Sequence, residues 1–378
     1  MHTLGILYLI RDFIMKVCIL LGTRPEIIKM SPIILELEKK RVDYFVIHSG
    51  QHYSYEMDEV FFQDLSLKKP KYNLEVGSGT HAKQTALIMT GTEKILRDEE
   101  PDIILVQGDT NTVLAGALAA SKIGIQIGHV EAGLRSYDRK MAEEINRVLT
   151  DHISNFLFAP TSTSMHNLLI EGISQEKIFV TGNTIVDSIN YIKTDLKNRE
   201  SCLNKFNLAK EGYILVTIHR AENVDNNIRL KRIVNCISDI QKEYNITILF
   251  PIHPRTNNML QTMGLKYDNI SFTQPIGYFD FVTLEENARL VITDSGGVQE
   301  ETCILGTPCI TIRDNTERPE TIDVGSNILS GTEKTEISKA VRSMLEKNRN
   351  WSHPFGDGFA SHQIVQILLD NCSDQNVK

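Results

Sequence analysis

The 378-residue chain lacks several of the signals by which a protein usually declares itself. Its six cysteines are scattered with no CxxC or framework spacing, which excludes a disulfide scaffold and reads as reduced thiols in the cytoplasm. The eleven histidines form no HExxH and no Cys/His cluster, so neither a tightly bound transition metal nor any other cofactor is expected. There is no Walker lysine loop and no GxSxG elbow. Positive charge is also scarce: a net charge of −8 argues against a nucleic-acid partner, so basic residues inside motifs are expected to meet a small anion. The apolar run LGILYLI near the start is too short for a bilayer and is followed by Arg11 and Asp12, so neither membrane insertion nor export is expected. MKVCILLG, from Met15, reads as a natural first strand, so residues 1–14 are expected to be an extension or a misassigned start.

What is present is an alternation of short apolar strands with helical segments. VCILLG, DYFVIHSG, DIILVQGD, IQIGHVEAG, NFLFAP and KIFVTGN occupy the first half. YILVTIHR, ITILFPIHP, NISFTQP, RLVITDSGG and PCITIRD follow after a polar helical stretch. This is the pattern of βαβ units, and the length exceeds what one core usually serves. The expected fold is α/β, with two Rossmann-like doubly wound domains facing across a cleft. The first covers residues 15–190 and the second 205–355; residues 356–378 end in a helix that could pack back on the first domain. KPKYNLEV reads as too polar for a buried parallel strand, which leaves GSGTHA as a loop before a helix from His81 rather than a dinucleotide fingerprint.

Polar residues collect where strands end. Asp109, Glu131, His219, His253 and Ser295 each follow an apolar run, at the carboxyl edge where open α/β sheets bind ligands. Two of these edges look like anion cradles. In LGTRPEIIKM, Thr23, Pro25 and Glu26 are accounted for by a helix cap, but Arg24 and Lys29 are not, because cations in a first helical turn oppose the helix dipole. In DSGGVQEE, the amides of Ser295, Gly296 and Gly297 would open a helix toward an anion, with Glu301 placed to accept ribose hydroxyls. Arg318 could reach the same anion or pair with Glu317 or Glu320, and Arg147 could pair with Glu143 one helical turn away. Asp109, Glu131, Glu143 and His219 supply acid and base groups beyond what phosphate binding needs.

Taken in order, GTRPEIIKMSP, SGQHYSYEM, QGDTNTVLAGALAA, GHVEAGLRS, EEINRVLTDH, GNTIVDS, TIHRAEN, DSGGVQEE and RDNTERPE resemble the non-hydrolysing UDP-N-acetylglucosamine 2-epimerases from about Met15 to Leu329. The resemblance implies a glycosyltransferase B type of fold and a cytoplasmic homodimer. It also implies interconversion of UDP-GlcNAc and UDP-ManNAc without metal or nicotinamide, for surface polysaccharides. The implied route eliminates UDP to 2-acetamidoglucal and adds it back. By motif position, Asp109, Glu131, Glu143 and His219 carry the chemistry. Arg24, Lys29, Ser295, Gly296, Gly297 and Arg318 surround the diphosphate, with Arg147 close by; Glu301 meets the ribose, and Phe281 with the backbone near Ile276 the uracil. A hydrolysing epimerase, an epimerase of another UDP-2-acetamido sugar and a UDP-sugar glycosyltransferase remain the alternatives.

One segment departs from the pattern. Some bacterial members of the family carry an activating second UDP-GlcNAc on a glutamine-rich AQHRQM-type segment and on an arginine before a QT pair. Here the segment reads GQHYSYEM from Gly50 to Met57, two residues longer, and Lys83 holds the arginine position. A lysine cannot reproduce a bidentate arginine fork. Initial rates from UDP-ManNAc are therefore expected to differ little with and without added UDP-GlcNAc; a strict requirement for UDP-GlcNAc would contradict this.

Overall fold

A computed structural model describes residues 15–51, 61–194 and 196–374. Residues 1–14, read as an extension, and positions 52–57 of the GQHYSYEM segment lie outside the described residues.

The apolar runs form two parallel sheets. β1 (Lys16–Leu21), β2 (Asp43–His48), β3 (Tyr72–Asn73), β4 (Ile103–Gln107), β5 (Gln126–Val130), β6 (Phe156–Ala159) and β7 (Ile178–Val180) lie in the order β3-β2-β1-β4-β5-β6-β7. The second sheet contains β8 (Tyr213–Thr217), β9 (Thr247–Pro251), β10 (Ser271–Thr273), β11 (Leu290–Thr293), β12 (Cys309–Thr311) and β13 (Asn327–Leu329), ordered β10-β9-β8-β11-β12-β13. Among the described residues every strand pairing is parallel, from β1 with β2 to β12 with β13. In each sheet the order reverses beside its first strand, so the crevices open at β1/β4 and at β8/β11. Helices on both faces explain why the central strands are apolar along their length: β4 is buried at every position.

Two strands were not legible in the sequence. Tyr72–Asn73 pairs with Ile47 and His48 although its surroundings are polar. It is a two-residue edge strand, half exposed, so the requirement for an apolar run does not apply to it. β13 is likewise a three-residue edge strand.

The two units share packing. Ile185 and Ile189, on the helix Thr184–Lys193, belong to one buried cluster with Tyr278, Val282 and Cys303 of the second unit. The chain then returns: Trp351 Nε1 donates to Cys303 O at 2.9 Å, and Asn183 N donates to Phe355 O at 2.9 Å. Asp187 accepts from Ser361 N at 3.0 Å and so caps the last helix, Ala360–Asp374. Ile364, Val365 and Leu368 of that helix are buried in the core around the helix Arg24–Lys40.

After β5 the chain turns through two left-handed residues, Glu131 at φ 69° and Gly133 at φ 84°. Gly133 lies against the helix Ser162–Ile170, where a Cβ would stand 2.3 Å from Ser164 O and 2.9 Å from Leu168 Cγ. Its carbonyl accepts from Asn167 Nδ2 at 2.9 Å, and its amide donates to Asp151 Oδ2 at 3.2 Å. Backbone cannot retreat as a side chain can, and the positive φ adds strain for any other residue. Gly133→Ala is expected to lower stability by more than about 2 kcal/mol in equilibrium denaturation and to cut activity through displacement of Glu131; an unchanged denaturation midpoint would refute this.

Candidate active site

The first edge is built on β1. Glu26 closes a capping box around Thr23, its carboxylate accepting from Gly22 N at 2.5 Å and Thr23 N at 3.1 Å. Thr110 Oγ1 donates to the same carboxyl at 2.5 Å and ties this turn to the one after β4. Burial outweighs these donors and pushes the Glu26 pKa up to about 7. Gly22 permits the close approach, since a Cβ there would meet Ser49 Oγ at 2.0 Å and Thr112 Oγ1 at 2.5 Å. The cap therefore accounts for Thr23, Pro25 and Glu26. Arg24 is half-buried, its guanidinium 5.2 Å from the centre of the Phe61 ring.

Lys29 points inward from the next turn. Its ammonium pairs with Glu131 and, at 2.8 Å, with Glu300 of the second unit. Arg318 completes the cluster, with Nη2 2.8 Å from Glu131 Oε1 and Nε 2.6 Å from Glu300 Oε1. Gln107 Nε2 donates to Glu131 at 3.1 Å and Asn183 Nδ2 to Glu300 at 2.9 Å. All four charged groups are buried, with Glu300 fully so. Burial alone would lower the pKa of both cations; Glu131 and Glu300 overcome it and raise both. Neighbouring Glu317 lies 3.5 Å from Arg318 Nη1 and 2.8 Å from Arg313 Nη2. Burial works against its charged form, but Arg318 and Arg313 hold it well below the usual carboxylate range.

Beside this cluster, Arg147 forks onto Asp109 Oδ2 through Nε at 3.1 Å and Nη2 at 2.7 Å. Its helix partner is Glu144 and not the expected Glu143. A helix places i−3 and i−4 on the same side of a residue, so tertiary context chose between them. Glu144 is buried and also accepts from Ser136 N and Tyr137 N. Glu143 is half-buried on the same helix and makes no ion pair among the described residues.

The opposite edge carries His219, whose Nδ1 is 3.2 Å from Asp294 Oδ1 while its side chain stays 45% exposed. Asp294 is fully buried and accepts from the backbone N of His219 and Arg220 and from Asn223 Nδ2, each at 3.0 Å. Burial disfavours its charge, yet His219 and these donors bring its pKa below the usual value. A buried carboxylate on one imidazole nitrogen orients the ring and leaves the other nitrogen free to exchange a proton. The His253 ring lies 6.3 Å away.

Ser295 stands at the N-cap position of the helix Gly296–Leu305, without a side-chain capping bond. Its own N–H is taken by Thr293 Oγ1 at 2.9 Å, so the expected trio of amides is a pair, Gly296 and Gly297, whose first-turn N–H groups have no acceptor within a helix. A Cβ on Gly296 would stand 2.5 Å from Glu317 Oε1; over Gly297, among the described residues, the Ser295 hydroxyl at 4.0 Å is the one near contact. Glu301 is buried behind this turn and accepts from Tyr278 Oη at 2.9 Å. Ile276 and Phe281, at the start of the helix Tyr278–Asn287, are partly buried against Leu284, Val291 and Val298.

The arrangement brings together two helix N-termini, a histidine held by Asp294 and two carboxylates each backed by a cation. Among the described residues no group of three or more His, Cys, Asp or Glu is placed to hold a metal ion, and no helix is long and apolar enough to cross a membrane. A family model described as UDP-N-acetylglucosamine 2-epimerase matches residues 35–369. The chain belongs to this family. It is accordingly an isomerase. The UDP-N-acetylglucosamine 2-epimerase of Methanococcus maripaludis is 57% identical over 94% of this chain and 98% of its own. A UDP-2,3-diacetamido-2,3-dideoxy-D-glucuronate 2-epimerase of Pseudomonas aeruginosa is 39% identical over 94% of this chain and 99% of its own. Among solved structures, Methanocaldococcus jannaschii UDP-GlcNAc 2-epimerase in complex with UDP-GlcNAc and UDP matches with a TM-score of 0.89 and 56% identity, over 94% of this chain and 99% of that one. The fold these 2-epimerases share is of the glycosyltransferase B type.

Sequence reading of the site named Glu317 as a possible partner of Arg318, which it is, but passed over Glu300, Glu144, Asp294, Gln107 and Asn183. Glu300 stood beside Glu301 in DSGGVQEE, but adjacent helix positions face different ways, and nothing local says which of the two turns toward Lys29. For the cluster, the expected cost of breaking it is large, because removing one ion leaves its partners buried and uncompensated. Arg318→Met is expected to lower the unfolding free energy by about 3–5 kcal/mol, with Arg318→Lys falling between it and the parent. Denaturant titration of the three proteins checks this, and an Arg318→Met midpoint equal to the parent's would overturn it.

Proposed function

We propose that this protein interconverts UDP-GlcNAc and UDP-ManNAc in the cytoplasm, as a homodimer and without hydrolysing them, in the supply of surface polysaccharide precursors. The observation that carries this reading is the buried cluster of Lys29, Glu131, Glu300 and Arg318, which joins the carboxyl edges of both sheets in one crevice. Identity of 56% to an enzyme solved with UDP-GlcNAc and UDP supports the substrate.

C2 of the sugar is not next to a carbonyl, so direct deprotonation there is too slow. The route that suits the site removes the C2 proton to a carboxylate while the C1–O bond to UDP breaks, giving 2-acetamidoglucal and UDP. UDP then re-forms the C1–O bond as a proton enters the opposite face of C2. Asp109 and Glu131 handle the C2 protons in this reading, with Glu143 close by, and His219 assists at the diphosphate. Lys29 and Arg318 hold Glu131, and Arg147 holds Asp109, which keeps each carboxylate in one position for both half-reactions. The helix terminus at Ser295, Gly296 and Gly297, with Arg24 across the crevice, stabilises UDP as it leaves and retains it for return. Retention is what separates epimerisation from hydrolysis. Phe281 and the backbone at Ile276 receive the uracil, and Glu301 the ribose.

Proton NMR of the purified protein with UDP-GlcNAc alone in deuterated water tests the reading. UDP-ManNAc should appear, deuterium should enter at C2 of both sugars, and free N-acetylmannosamine should stay absent. Asp109→Asn and Glu131→Gln should each slow the exchange by at least about a hundredfold; undiminished exchange in both would reject their role, and accumulation of free sugar with UDP would establish hydrolysis instead.

A further inference from the structure

Behind the second anion site lies a carboxyl group that the proposed reaction does not use. Glu285, in the helix Tyr278–Asn287, is 0% exposed, and neither of its carboxyl oxygens finds a hydrogen-bond donor among the described residues. Among the described residues, the ionisable groups it interacts with are Glu301, the phenols of Tyr213 and Tyr278 and the thiol of Cys309, none of them cationic. A dry carboxylate with neither donor nor counter-ion is strongly disfavoured, whereas a neutral carboxyl carries an O–H and needs only an acceptor. The acceptor at hand is the carboxyl of Glu301. Burial raises the pKa of Glu301 too, but two groups that do not serve Glu285 act against it there: Tyr278 Oη donates to its Oε1 at 2.9 Å, and Lys29 favours its ionised form.

We infer that Glu285 is a positioning residue, a neutral acid whose O–H donates to Glu301 and, together with Tyr278, holds that carboxylate aimed at the ribose hydroxyls of the bound nucleotide. Burial first, and then the adjacent Glu301 carboxyl, raise the pKa of Glu285 well above the ordinary range, which keeps its proton in place. An ionised carboxylate has about four lone-pair sites. Two convergent donors fix its plane, and the remaining sites accept from two vicinal hydroxyls. The selectivity for a ribonucleotide over its 2′-deoxy counterpart then depends on a residue that never touches the ligand.

The inference rests on the assignment of Glu301 to the ribose, and the test separates the two. Calorimetric binding of UDP and of 2′-deoxy-UDP is measured for the parent, Glu285→Gln, Glu285→Leu and Glu285→Met. Glutamine keeps a donor, while leucine and methionine fill the space without one; the two apolar variants guard against one of them failing to fold. The parent should prefer UDP by at least about fivefold. Glu285→Gln should keep most of that preference and the apolar variants should lose it. Should the parent not distinguish the two ligands, the ribose assignment of Glu301 fails and the inference with it. Should the parent distinguish them and the apolar variants do so equally, or Glu285→Gln lose the preference as they do, Glu285 is not the positioning donor.

Discussion

The pairing of Lys29 with Glu131 and Glu300, closed by Arg318, is the contact on which the arrangement of the molecule turns. Lys29 and Glu131 come from the first sheet's edge, Glu300 and Arg318 from the second's. Each group is buried, so each charge is tolerable only while its partners stand beside it. That condition is met in one relative placement of the two units. Apolar packing of Ile185 and Ile189 against Tyr278, Val282 and Cys303 supplies attraction between them, but apolar surfaces slide at little cost. Four interlocked charges do not.

The cluster also reassigns work within the site. Sequence reasoning gave Lys29 and Arg318 to the diphosphate and its surroundings. In the folded protein both are engaged by carboxylates, so their first effect is to hold Glu131, at the end of β5 and in a left-handed conformation, against the crevice. The helix terminus at Gly296 and Gly297 makes no such pairing, and a Cβ on Gly297 would meet little among the described residues. Asp109 on Arg147 and His219 on Asp294 repeat the device of a polar group at the crevice held by a buried ionisable partner. Such groups need not reorganise when charge develops in a reaction.

Much of the fold was legible because burial on both faces forces central parallel strands to be continuous and apolar, as in IILVQ and YILVT. The edge strands Tyr72–Asn73 and Asn327–Leu329 escaped because an edge tolerates polar neighbours and needs few residues. In the site, the strand-end residues Asp109, Glu131, His219 and Ser295 were legible because a parallel sheet sends every carboxyl end to one edge. Their partners were not. Arg147 could face Glu143 or Glu144, and Glu300 or Glu301 could face Lys29; periodicity is too coarse to separate residues one position apart on a helix.

The sequence by itself determined the central strands and helices, the doubly wound architecture and the edge at which polar residues collect, because these follow from hydrophobic period, turn residues and the handedness of βαβ units, all local properties of the chain. It also determined the family, through motifs that survive in order. Only the tertiary structure decided which charge meets which. Lys29 is 102 residues from Glu131 and 271 from Glu300, and at such separations a pair is chosen by the packing of two domains and by the cost of leaving any ion dry and alone, neither of which is written in a local pattern.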